Sequence, residues 1–87
     1  MTATVRGKTI TVNWMWLFER KGELMLQLTD ARSIAEIAKE WEGANVIRRE
    51  SEEEGNITYN GFSRIKRIIR KDEYAPGIVE IVLTKTE

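Results

Sequence analysis

The segment Thr9-Ile10-Thr11-Val12-Asn13-Trp14-Met15-Trp16-Leu17-Phe18 constrains the fold most, because its large side chains recur at every second residue. Neighbouring side chains of a strand point to opposite faces, so Ile10, Val12, Trp14, Trp16 and Phe18 read as one apolar face. Leu24, Leu26 and Leu28 repeat the period after Arg20-Lys21-Gly22, which predicts a hairpin. A two-residue Lys21-Gly22 turn opposes Trp16 to Gln27 and Phe18 to Met25, mixing the faces. A three-residue loop with Gly22 at positive φ opposes Phe18 to Leu24, Trp16 to Leu26 and Trp14 to Leu28, and is the register expected.

That register predicts Trp14 and Trp16 in the core and leaves Met15, Leu17 and Met25 together on the other hairpin face. Such a patch is covered either by the amino-terminal segment 1–8, read as flexible, or by another protein chain. Met15, Leu17 and Met25 are therefore the candidate protein interface.

Periodicity changes at Ile34, where Ile34, Ile37, Ala38 and Trp41 follow the stripe of an amphipathic helix. Ser33 and Glu36 have capping-box spacing and Gly43 is the expected stop, so the helix is predicted to bury Trp41 against the sheet. Val46 and Ile47 begin a short apolar element, and Glu52-Glu53-Glu54 reads as a solvated loop closed by Gly55-Asn56. The sequon Asn56-Ile57-Thr58 reads as a loop-to-strand boundary.

The segment Ile57 to Lys71 supports two periods. As sheet it breaks at Asn60-Gly61, with Ile65, Arg67 and Ile69 on one face; as helix it stripes Phe62, Ile65, Ile68 and Ile69. The density of β-branched residues favours sheet. Ala75-Pro76-Gly77-Ile78 has the residue preferences of a type II turn, leading into a last strand through Val79, Ile81 and Leu83.

The predicted fold class is α+β in the order β-β-α-β-β-β: a mostly antiparallel five-stranded sheet packed by one helix, or a small curled barrel bent at Gly61. The 87 residues, which show neither repeat nor linker, read as a single domain.

Chemistry is narrowed by what is missing: the chain has no histidine and no cysteine, which removes thiolate catalysis, cysteine-based metal sites and the imidazole proton shuttle. Asp30, Glu42, Asp72 and Glu73 with Ser33, Ser51 and Ser63 show no nucleophile-base spacing. No catalytic residue, cofactor or metal is expected. Neither a secretion signal nor a membrane span fits, so cytoplasm is the expected location.

Fourteen basic and fourteen acidic residues cancel, yet Arg64, Lys66, Arg67, Arg70 and Lys71 place five positive charges within eight positions, near Tyr59 and Phe62. A nucleic acid is the ligand such a cluster would meet. The plainer reading is a solvated sheet edge. The expectation is a nonenzymatic protein-interaction or assembly module, self-associating through a hairpin face or sheet edge, with DNA or RNA binding through residues 64 to 71 as the alternative.

Overall fold

The computed structural model describes residues 2–43, 46–49, 56–59, 61–73 and 75–85, with side chains outside 46–49 and 56–59. Its elements are β1 (Thr2–Val5), β2 (Lys8–Thr11), β3 (Trp14–Phe18), β4 (Glu23–Thr29), α1 (Ile34–Trp41), β5 (Val46–Arg49), β6 (Asn56–Tyr59), β7 (Phe62–Arg70) and β8 (Ile78–Lys85). The fold is α+β and the sheets are antiparallel, as the sequence predicts. The strands are more numerous than the expected five and divide into two four-stranded sheets. Sheet A has the order β2-β1-β5-β6 and sheet B the order β3-β4-β8-β7.

Two long segments serve both sheets, and this is why a count from periodicity falls short. Thr9 to Phe18 bends at Val12-Asn13, passing from β2 in sheet A to β3 in sheet B. The second such segment passes from β6 to β7 beside Gly61, whose φ of 83° suits a sharp change of strand direction. The tract Glu52 to Glu54 lies outside the described residues.

Residues 1–8, expected to be flexible, instead supply β1 and the turn to β2. Ala3 and Val5 of β1 are fully buried. Only two apolar side chains mark this strand, too few to register as a period. Val5 pairs with Lys8 across a two-residue turn in which both Arg6 and Gly7 have positive φ, the geometry that matches strand twist.

The bend at Asn13 changes the phase of the hairpin. Trp14 pairs with Gln27, Met15 with Leu26, Trp16 with Met25, Leu17 with Leu24 and Phe18 with Glu23, closing a four-residue turn over residues 19 to 22. Gly22 has the positive φ expected of it, at 63°. The register is displaced by one from the expected one, so every β3 side chain changes face. Met15 is only 3% exposed, within the core, and Leu17 packs against it, whereas Trp16 is 62% exposed and Phe18 37%. Met15, Leu17 and Met25, the expected patch, thus do not share one surface: Met15 lies inside, Leu17 is half-buried against the core, and Met25 lies across from Trp16 on the outer face.

Helix α1 follows the sequence closely. The Ser33 hydroxyl accepts from the Glu36 amide at 3.3 Å, and Gly43 takes a φ of 76° just past the helix. Ile37 and Trp41 are fully buried, joining a core with Ala3 and Val5 of β1, the three leucines of β4, and Val79, Ile81 and Leu83 of β8. Segment 62–70 is strand rather than helix, and its neighbour β8 is entered through the Ala75–Ile78 turn, closed by Ile78 N–H donating to the Ala75 carbonyl at 3.3 Å. No described helix is long and apolar enough to cross a membrane.

The phase of β3 makes a direct test. Met15→Ala is expected to destabilise the fold by about 2–5 kcal/mol through loss of buried volume, and Trp16→Ala by no more than about 0.5 kcal/mol, measured by urea unfolding. The reverse ranking is what the sequence-derived register requires.

Candidate functional site

A bulge in β7 builds one wall of the outer face of sheet B. Its register against β8 slips between Phe62 and Arg64 and again between Ile65 and Arg67. Each slip inserts a residue and re-aims those that follow. Ile65 and Ile68 therefore both pack against the core, while Arg64, Lys66 and Arg67 are exposed. Strict alternation, which places Ile68 with Arg64 and Lys66, does not survive the second slip.

The other wall is β3. Trp16 and Phe18 meet edge to face, with ring centroids 6.4 Å apart, and the Lys21 ammonium stands 6.0 Å from the Phe18 ring. Between the β3–β4 turn and β7 lies a groove of about 590 Å³, lined by Lys21, Glu23, Met25, Lys66, Arg67 and Val82, with Trp16 beside it as the cross-strand partner of Met25. Met25 and Val82 pair across β4 and β8 and give it an apolar floor. Its formal charge, three cations against one carboxylate, is positive.

Glu23 reports that field. The hydrogen bond from the Lys66 ammonium holds its carboxyl below the ordinary carboxylate range; desolvation opposes this, and the charges of Lys66, Lys21 and Arg67 reinforce it. Lys21 and Arg67 thus act at the same point as Lys66, although they lie far apart in sequence.

The structure divides the expected basic cluster. Arg70 turns inward, donating to the Asp30 carbonyl at 2.8 Å and to the Arg32 carbonyl. Lys71 pairs with Glu80 at 2.8 Å. Neither belongs to the groove. Phe62, a candidate stacking ring, is buried, and the Tyr59 side chain lies outside the described residues. Lys21, Trp16 and Phe18 are the members that sequence reasoning missed; an odd spacing of inward residues, such as Ile65 to Ile68 in a strand, was the available sign of a bulge.

The open edge of β3 is the second feature. The far edge of sheet B, β7, is met by the chain leaving α1: Gly43 N–H donates to the Ser63 carbonyl at 2.6 Å, and Ile65 N–H donates to Glu42 Oε2 at 2.7 Å. Strand β3 pairs only with β4 among the described residues. All five of its residues are uncharged, and charge is the usual protection of an edge.

Two of the remaining candidate carboxylates, Asp72 and Asp30, have structural partners, and Glu73 is exposed. Asp72 accepts from the Gly77 amide at 3.1 Å, bracing the turn into β8. Asp30 and Glu40 share Arg32, whose Nη2 lies 2.6 Å from Asp30 Oδ2 and 3.0 Å from Glu40 Oε1, and Lys8 reaches Glu40 at 3.1 Å. This network ties the start of β2, α1 and the end of β4 together.

Comparison of the chain with protein families, curated proteins and solved structures finds no match.

Arg32 has a consequence for acid stability. Its hydrogen bonds hold the Asp30 and Glu40 carboxyls below their ordinary range, against the opposing effect of partial burial, and Lys8 adds to the effect on Glu40. Groups depressed on folding contribute stability that is complete above their unfolded pKa of about 4 and is lost as pH falls through the lower folded values. Urea midpoints should therefore drop on going from neutral pH to below about pH 4. Arg32→Ala should cost about 1–2 kcal/mol at neutral pH and flatten that dependence; an unchanged acid limb would contradict the assignment.

Proposed function

We propose that this chain is a small nonenzymatic assembly module that pairs with a second copy of itself through the open edge of β3. The observation that carries the reading is that edge: an uncharged five-residue strand, uncovered among the described residues, with Trp16 62% exposed at its centre. Tryptophan is among the side chains enriched at the anchoring positions of protein interfaces. A flat apolar edge also exposes unpaired backbone groups that a neighbouring strand satisfies.

The sequence of β3 suits self-pairing. An antiparallel two-fold arrangement centred on Trp16 sets Trp14 opposite Phe18 of the second copy and Met15 opposite its Leu17. Aromatic groups meet on the outer face and aliphatic groups on the inner face, so each core continues across the seam. In this register Glu19 and Arg20 come beside Asn13 and Val12 of the second copy, and no like charges are opposed. The product is a continuous eight-stranded sheet.

Sedimentation of the full chain should show mass doubling as concentration rises toward about 1 mM. Trp16→Lys, which sets two like charges opposite each other on the two-fold axis, should hold the chain monomeric while far-ultraviolet dichroism is unchanged. A monomeric mass over the whole range overturns the reading, as does a dimer that Trp16→Lys leaves intact.

A further inference from the structure

We infer that the outer face of sheet B binds single-stranded nucleic acid, with bases stacking on Trp16 and Phe18 and phosphates held by Lys21, Lys66 and Arg67. The groove is complete within one chain, so this inference does not rest on self-pairing. Three observations converge on it. Two aromatic rings stand exposed on a sheet face, Lys21 stands beside Phe18 with Lys66 and Arg67 across the sheet, and Met25 and Val82 form an apolar floor between. Stacking platforms beside a positive track are how proteins hold single strands without reading sequence.

The spacing fits. Lys21 stands 6.0 Å from the Phe18 ring, where it can meet the phosphate of a nucleotide stacked there. From β3 to β7 the sheet crosses three interstrand gaps, about 14 Å at the usual ~4.8 Å. That is about four nucleotides at the ~3.4 Å rise of a stacked strand. A strand crossing the sheet would thus pass from the aromatic wall over Met25 and Val82 to Lys66 and Arg67. Lys66 reaches across β8 to Glu23, and the positive charges outnumber that one carboxylate, so a polyanion meets net attraction.

Duplex is disfavoured on shape. The face is a sheet surface between two low walls, and among the described residues no helix or ribbon projects from it to enter a groove of DNA. An acidic protein segment shares the charge but carries no succession of aromatic bases for the exposed rings to stack on.

The test titrates the full chain with an oligothymidylate of about twelve nucleotides, followed by tryptophan fluorescence at low salt. Saturable quenching is expected, with affinity falling as salt rises at a logarithmic slope of about −2, for three phosphates at ~0.7 each. Arg67→Gln should reduce that slope by about 0.7. Trp16→Ala should weaken binding, followed by anisotropy of a labelled oligonucleotide, by about tenfold or more. Lys39→Gln, on the exposed face of α1, should change neither. Absence of binding at low salt overturns the inference, as does binding indifferent to Trp16→Ala and Arg67→Gln. Polyglutamate of equal charge bound as tightly would also overturn it, in favour of an acidic protein ligand.

Discussion

The anchoring of Asn13 is the constraint on which the outer surface depends. Its backbone N–H donates to the Gln27 carbonyl at 2.8 Å, and its side-chain amide donates to Gln27 Oε1 at 3.1 Å and Thr29 Oγ1 at 3.3 Å. These bonds fix the corner where the chain leaves sheet A for sheet B. Because side chains alternate strictly along a strand, a corner that absorbs one residue exchanges the two faces of everything after it. Ile10 and Val12 point toward the core before the corner, and Met15 and Leu17 do so after it. Trp16 and Phe18 are left outside.

The outward aromatic face is then bounded by a second irregularity, in β7. There a bulge keeps Ile65 and Ile68 inside and turns Lys66 and Arg67 out, so cations stand across the sheet from Trp16. Both devices serve the core first, since each lets a β-branched or aliphatic residue remain buried. The surface they create joins an aromatic wall, an apolar floor and a positive wall. Self-pairing about Trp16 would extend it, because an antiparallel edge-to-edge two-fold axis is perpendicular to the sheet and leaves both outer faces on the same side.

Local chemistry was legible in the sequence. Ser33, Glu36 and the stripe through Ile37 and Trp41 announce the helix, because caps and period are properties of neighbouring residues. Gly22, Gly61 and Pro76-Gly77 mark turns or bends for the same reason. What was not legible is where a period breaks. Ile10 through Phe18 keeps a large apolar residue at every second position, and nothing within it says that Asn13 will bond to Gln27 and Thr29, residues contributed by the next strand. Likewise Arg70 and Lys71 belong to the basic run in sequence, but the Asp30 and Arg32 carbonyls and Glu80 claim them in space. Of the cations that do share a surface, Lys66 and Arg67 are neighbours on β7, but Lys21 comes from the β3–β4 turn, and no local pattern links it to them.

The register of the β3–β4 hairpin decides whether the aromatic face exists at all, and proton–proton contacts measured by nuclear magnetic resonance read it directly. Cross-strand backbone contacts should link Trp16 to Met25 and Leu17 to Leu24, with the Met15 methyl close to core side chains. Contacts linking Trp16 to Leu26 and Phe18 to Leu24 would place the rings inside and contradict the account.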